Sequence, residues 1–362
     1  MNIIKPYNPL QAASRFDQYF GKIVAKNPRR PVQIKVYSRQ LGLDYTYPSD
    51  SANQSYHIAS IGKMFTATLV QMLAEDGLLT PFDPIPQYFS STELSKLFVY
   101  QGADHAHQVT LAHLLGHTSG IADYFEGATL GGTLFIDEIL SHPQQHWTPQ
   151  SLLAFSREHQ AAVGVPGQRF NYSDTGYILL GLIIEKVTGK SFAANLVERI
   201  FHPLNMHDSY LMFYSEPENT PQKKLAPIWF NDTEISSYES LSCDWAGGGI
   251  VSTSADLLKF NQALRGGLLV GENSLAAMDD FKHKFRPGIY YGLGMMEIRF
   301  KEFFFLLGRL PKIRGHIGIL STHLFYDPPH DAHIIMNFGS NTRMVESFKA
   351  LIAIENVLQK ID

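Results

Sequence analysis

Ser60-Ile61-Gly62-Lys63 opens the stretch on which the fold turns, because the residues after it repeat at helical spacing. Met64, Phe65, Leu69, Met72 and Leu73 recur at intervals of three and four, which predicts an amphipathic or buried helix. Glu75-Asp76 ends it, and Gly77 supplies a left-handed cap. Three residues apart on that helix, Ser60 and Lys63 point the same way, one turn above the other. Ser60 also falls near the helix start, where unpaired N–H groups and the macrodipole favour developing negative charge. A serine hydroxyl is a weak nucleophile, so a neighbouring ammonium that organises a base is chemically useful. Taken alone, Ser-x-x-Lys arises by chance about once in a chain of this length.

Upstream, Val32 to Tyr37 alternates apolar and polar residues, and strand-prone side chains continue to Tyr47 around Gly42, predicting a strand or hairpin. Downstream, Pro81, Pro84 and Pro86 mark a linker. From about 86 to 245 the signals are mostly helical. Thr110 caps a run through Leu111, Leu114 and Leu115; another from Pro149 carries Leu152, Leu153 and Phe155; Asp174 to Val187 is closed by Gly189. The stretch 210–245 is polar and aperiodic, which predicts long loops of the kind that shape binding sites.

Strand signals return after Gly247-Gly248-Gly249. Beyond a helix over Ser254–Leu264 come Tyr290–Phe300, Phe303–Leu310, Gly318–Tyr326 and His333–Phe338. Pro328-Pro329 in the last turn argues for antiparallel neighbours. A final helix presents Val345, Phe348, Leu351, Ile352 and Leu358. The expected fold class is therefore α/β (α+β), an antiparallel sheet flanked by helices. Residues 1–85 and 246–362 form a discontinuous α/β domain, 86–245 an inserted mostly helical domain, and the active site lies between them.

Bulk properties narrow the function. The 362 residues, 44% hydrophobic and 18% charged, suit a globular protein with a sizeable core. A formal charge of −4 gives no case for a nucleic-acid partner, and the densest basic cluster is only Lys223-Lys224. Cys243 is the single cysteine, which closes the disulfide and zinc-ribbon readings. Met1 to Phe20 is interrupted by Pro6, Asn8, Pro9, Gln11 and Ser14, so no export signal is read there, and no run approaches a membrane span. The expectation is a cytoplasmic protein without a membrane partner, although a chain trimmed of its export signal would look the same. Oligomeric state is not legible.

Two further motifs carry chemistry. Pro166-Gly167 feeds Tyr172-Ser173-Asp174 just before an apolar helix, placing a phenol at a helix entrance. A free tyrosine has a pKa of about 10, so work as a general base requires nearby positive charge, which Lys63 can supply. Gly315-His316-Ile317-Gly318 precedes a strand, and its glycines allow close backbone approach to a ligand. A strand edge there can donate an N–H to an oxyanion, and His316 can bond a substrate carboxyl or the Tyr172 oxygen.

In order and spread, these three motifs resemble those of the penicillin-recognising serine enzymes: class C beta-lactamases, the related D,D-peptidases and the esterases of the same superfamily. Leu114-Leu115-Gly116-His117-Thr118-Ser119-Gly120-Ile121, Gly181 to Gly189, Ala246 to Ser254 and Tyr291-Gly292-Leu293-Gly294 look like the same family. The resemblance runs from about 55 to 345. It implies acylation of Ser60 by an ester, amide or lactam carbonyl, with Tyr172 and Lys63 shuttling the proton. The oxyanion hole would be the backbone N–H of Ser60 and of Ile319, and water would release the acid. It implies a small-molecule ester, amide or peptide substrate and no cofactor. A non-catalytic relative that binds a peptide or acyl ligand is the alternative.

Two positions depart from the family pattern. Asp174 stands where much of the family has Asn, whose amide donates to a substrate carbonyl; an ionised Asp cannot. Asp174 would instead hold Lys63 as the ammonium, so weak beta-lactam turnover is expected. His316 replaces Lys, and its reference pKa of about 6.5 predicts a loss of activity below pH 6. Gly318, Tyr124 and Trp245 are candidate substrate-binding residues. His113 and His117 have the spacing of a metal pair but lack the Glu between them and a third ligand, so no metal is expected there. Asp104-His105-Ala106-His107 reads as a solvated loop, and Cys243 as buried and unreactive.

Overall fold

The computed structural model describes residues 7–30 and 32–361. Pro6, one of the residues interrupting the N-terminal stretch, lies outside them. The others in that stretch start a helix. Asn8 accepts from the Gln11 N–H at 2.9 Å, Gln11 answers to the Asn8 N–H at 3.1 Å, and Pro9 occupies the first turn of α1, Pro9–Lys26. This reciprocal cap satisfies donors that a helix start leaves orphaned.

An antiparallel sheet of eight strands joins the two ends of the chain. Its members are β1 (Gln33–Ser38), β2 (Leu43–Tyr47), β3 (His283–Arg286), β4 (Ile289–Tyr291), β5 (Met296–Ile298), β6 (Ile313–Gly318), β7 (Thr322–Asp327) and β8 (Ala332–Asn337), in the order β3-β4-β5-β6-β7-β8-β1-β2. Alternating side chains serve opposite faces. Ile34, Val36, Phe325, Ile334 and Met336 join Phe16 and Phe20 of α1, and Leu351 and Ile354 of α5 (Met344–Leu358), in one core. Leu324 and Ile335 turn the other way, into the core shared by α2 (Gly62–Glu75), α3 (Asp174–Thr188) and α4 (Ser254–Arg265). Phe16 and Phe20 are buried, and truncating either to Ala costs about 3–5 kcal/mol.

The expected strand Gly318–Tyr326 is the end of β6, a turn at Ile319–Ser321 and β7, with Ser321 at φ 57°. Phe303–Leu310 forms no strand. It follows a 3₁₀ turn at Phe300–Glu302, makes another at Phe305–Leu307 and leaves Phe305 71% exposed. Both neighbours of this connection, β5 and β6, already pair with each other, so it finds no open edge. Strand propensity is a fit to a half-buried pleated surface, and none is offered here. Gly77 ends α2 at φ 73°, the left-handed cap expected of it, and Gly189, expected to close α3, does so at φ 67°. Among the described residues, no helix is long and apolar enough to cross a membrane.

Candidate active site

Ser60 sits in a 3₁₀ turn, Ala59–Ile61, that runs directly into α2. Ala59 holds φ 49°, a conformation that L side chains rarely adopt and that costs about 1–3 kcal/mol. The surroundings hold the turn in place. Ala59 N–H donates to His57 Nδ1 at 3.2 Å, Ile58 N–H to the Ile250 carbonyl at 3.0 Å, and Thr322 Oγ1 to the Ile58 carbonyl at 2.9 Å. Glycine is needed where other backbones press against it. A Cβ on Gly248 would lie 2.9 Å from the Ala59 carbonyl carbon, and one on Gly318 2.7 Å from the Ala59 Cβ.

One turn along α2, the Lys63 ammonium donates to Ser60 Oγ at 3.1 Å and to the Gly247 carbonyl at 2.8 Å, and it pairs directly with the Asp174 carboxylate. Lys63 is wholly buried. Asp174 arrives on the first turn of α3, its N–H bonded to Asp123 Oδ1 at 2.9 Å. Tyr172, two residues earlier, lines the same cleft as Ser60, with Lys63 Nζ 4.9 Å from its ring centre. The structure thus gathers Ser60, Tyr172 and Asp174 around the Lys63 ammonium.

The electrostatics depart from expectation. Burial, and after it the Asp174 charge, push the Tyr172 phenol well above the usual tyrosine range; the Ser60 contact opposes this. A standing phenolate is therefore disfavoured, because Lys63 is already engaged by Asp174. Asp123 and Asp244 are each pushed up to about 7, first by burial and then by the Asp174 charge. Glu126 is raised by the same two causes and drawn back by Arg286 and Lys63.

His316 corrects the sequence reading most. It lies inside β6, opposite Leu324, and is wholly buried rather than at a strand start. Its Nδ1 faces the Ile317 carbonyl at 2.8 Å and its Nε2 the Tyr291 hydroxyl at 3.0 Å, so Nδ1–H donates and Nε2 accepts. The Tyr172 ring centre is 6.5 Å away, and Tyr291 takes the contact expected of Tyr172. Burial and the Lys63 charge bring His316 down to about 3, so it stays neutral across the range where a charge change was expected.

A cleft of about 320 Å³ opens over Ser60 and Tyr172, walled by Gly318, Ile319, Phe285, Met296 and Phe348, with Glu126 and Arg286 also lining it. Ser60 and Ile319 both face it, as an oxyanion pair requires. Tyr124 and Trp245 do not. Tyr124 is buried with its hydroxyl on the Cys243 carbonyl at 2.8 Å, and Trp245 is buried against Phe192 at 5.2 Å between ring centres. Both are packing residues. His117 stacks on Tyr172 at 4.2 Å and accepts the Ser173 N–H at 3.0 Å, while His113 accepts the Thr110 N–H. Glu126, Asp123 and Asp244 were not anticipated. Their only sequence signal is adjacency, to Tyr124-Phe125 and to the Trp245–Gly249 run.

The family described as Beta-lactamase has a model that matches residues 46–359. The chain belongs to that family. Penicillin-binding protein 4* of Bacillus subtilis (strain 168) is 28% identical over 232 residues, 59% of this chain and 45% of the relative. The chain spans about half the length of the curated relatives it matches, 45% and 55% for the first two. Among solved structures, a D-stereospecific amidohydrolase from Streptomyces sp. superposes with a TM-score of 0.74 at 25% identity, covering 92% of this chain and 98% of that one. The D-amino acid amidase from Ochrobactrum anthropi SV3 does so with 0.73 at 26%, covering 97% and 98%. These are hydrolases of the beta-lactamase fold, the antiparallel sheet with flanking helices described above.

Proposed function

We propose that this member of the Beta-lactamase family is a serine hydrolase that forms an acyl-enzyme on Ser60 and cleaves small amides or esters, D-amino-acid amides foremost. The observation that carries it is the Lys63 ammonium bonded to Ser60 Oγ at 3.1 Å while Asp174 neutralises it and the Tyr172 ring, 4.9 Å from Lys63 Nζ, lines the same cleft. The cleft would lie between the discontinuous α/β domain, 1–85 with 246–362, and the inserted helical domain, 86–245.

Because Tyr172 rests as the neutral phenol, it acts as a relay. As Ser60 Oγ bonds to the substrate carbonyl carbon, its proton passes to the Tyr172 oxygen, and the phenol proton passes to the leaving nitrogen or oxygen. The N–H groups of Ser60 and Ile319 receive the developing oxyanion. Water then attacks the ester by the reverse relay, restoring Ser60 and releasing the acid. Lys63 holds the hydroxyl and, with Asp174, sets the local potential.

Substrate class is read from Glu126. A carboxylate on the wall of a cleft lined mainly by Phe285, Ile289, Met296, Ile317 and Phe348, with Arg286 beside it, suits a substrate that carries both an α-ammonium and a polar acyl group, and the neighbours above are by name a D-stereospecific amidohydrolase and a D-amino acid amidase. An ionised Asp174 in place of an amide donor supports the expectation of weak beta-lactam turnover. Purified protein assayed on D- and L-amino-acid p-nitroanilides, p-nitrophenyl acetate and nitrocefin, beside Ser60→Ala, tests this reading. Turnover of D-amino-acyl amides that vanishes in Ser60→Ala is expected. Nitrocefin as the fastest substrate, or no Ser60-dependent turnover of any, would contradict it.

A further inference from the structure

At the far end of the hairpin β7–β8 lies a group of side chains that the hydrolase site does not use. Asp327 ends β7, His330 lies in the following turn, and Glu355 projects from α5. One donor atom from each lies within 4.8 Å of the other two. Asp327 and Glu355 are both 0% exposed. His330 Nδ1 faces Asp327 Oδ2, but Asp327 Oδ1 and both Glu355 oxygens are buried without a hydrogen-bond donor. Among the described residues, neither acid pairs with a lysine or arginine; His330 is the only basic partner.

Two carboxyl groups side by side in the interior, with three oxygens lacking a donor from any other residue, carry a heavy desolvation and repulsion cost if both ionise. A proton shared between them relieves part of it and leaves the imidazole facing an acid pair. A dication relieves all of it, because it neutralises both charges and fills the empty acceptor positions at once. We propose that Asp327, His330 and Glu355 form a binding site for one divalent transition-metal cation.

One imidazole nitrogen with two carboxylate oxygens suits Zn²⁺ or Mn²⁺ better than Ca²⁺ or Mg²⁺, which prefer all-oxygen shells. Donor atoms around zinc, with bonds of about 2.0–2.2 Å, sit about 3.5 Å apart, so binding would part the His330 Nδ1–Asp327 Oδ2 contact and hold the other donors, already within 4.8 Å, at that spacing. The turn carrying His330 is already anchored, since Ser38 Oγ donates to the His330 carbonyl at 2.6 Å. The His330 side chain is 18% exposed, which gives the ion a route in and leaves room for a water as the fourth ligand.

The site ties α5 to the hairpin, not to the chemistry. Asp327 lies five residues along β7 from Thr322, whose hydroxyl braces Ile58 beside Ser60, a span of about 17 Å at strand rise. The cation is thus a structural staple whose binding energy adds to folding stability.

The test uses chelator-stripped full-length protein. Equilibrium dialysis against ZnCl₂, read by elemental mass spectrometry, is expected to leave one zinc per wild-type chain that is missing from His330→Ala, a partly exposed position whose replacement disturbs no core. CoCl₂ should give a visible absorption band with wild type and none with His330→Ala. At a hundredfold excess over Kd, Zn²⁺ should raise the wild-type Tm by about 3 °C, and should not do so in His330→Ala or in Glu355→Gln. Hydrolysis by the Zn-loaded and stripped enzyme should agree. No zinc uptake by wild type would overturn the proposal, as would undiminished uptake by His330→Ala, which would place the ion on surface histidines. A Tm that follows pH but not Zn²⁺ would mean a shared proton and would overturn it equally.

Discussion

Lys63 and Asp174, 111 positions apart in the chain, form a buried ion pair on whose free face the Ser60 hydroxyl rests. The Lys63 side chain is 0% exposed and the Asp174 side chain 13%. A buried pair is neutral or slightly unfavourable against apolar packing, yet breaking one half leaves an uncompensated charge at a cost of about 3–5 kcal/mol. Asp244, which feels the Lys63 charge, lies close enough to offset part of that. Asp174→Asn is therefore expected to lower urea-unfolding stability by about 2 kcal/mol. An unchanged midpoint would mean that Asp174 is not the counter-charge.

Close backbone approach sets the Ser60 turn. Gly248→Ala would drive a Cβ to 2.9 Å from the Ala59 carbonyl carbon and 3.3 Å from the Ser60 nitrogen. Displacement of a nucleophile by about 1 Å costs on the order of 100-fold in rate. The expected result is a kcat loss of that order with KM nearly constant, and a melting temperature that still reports a folded protein. A fully active Gly248→Ala would show that the turn tolerates movement.

If the proposed function holds, Glu126 distinguishes substrates by charge. Glu126→Gln should weaken kcat/KM for D-amino-acid amides about tenfold, the value of one charge-assisted hydrogen bond at 1.4 kcal/mol, and leave p-nitrophenyl acetate unaffected. Equal losses on both substrates would assign Glu126 a structural role instead.

Burial brings His323 down to about 3, with its Nε2 on Ser347 Oγ at 2.8 Å. The unfolded chain takes up a proton near 6.5 that the folded chain refuses, so His323 contributes stability in full above that pH and loses it as pH falls toward 3. Relative to His323→Gln, wild type should lose about 1.4 kcal/mol per pH unit between pH 6 and 4 in urea titrations. Parallel stability curves would remove the effect. By the same logic His316, down to about 3, contributes no acid limb to activity between pH 5 and 7.

That Ser60 and Lys63 share one helix face is legible in local spacing, i and i+3; Tyr172 joins them in the sequence only through the family resemblance of the three motifs taken together. Local sequence likewise encodes the Gly42 hairpin and the helix ends at Gly77 and Gly189. His316 is not legible in this way. Whether it faces a cleft or a core depends on its register opposite Leu324, which only the folded sheet determines. Tyr124 and Trp245 illustrate the ambiguity of aromatics, which fill cores as readily as pockets. The acid group of Asp123, Asp174 and Asp244 comes from separate loops and one helix start, so it exists only in three dimensions. Asn8-Pro9 shows the reverse failing, where residues that break an apolar run are the cap that begins α1.

The most direct test of the central claim is peptide-resolved mass spectrometry after treatment with a fluorophosphonate. A stoichiometric adduct on Ser60, absent from Ser60→Ala and slowed at least about 100-fold in Lys63→Met, is the expected result. Hydrolysis that survives in Ser60→Ala, or an adduct carried by any other residue, would contradict it.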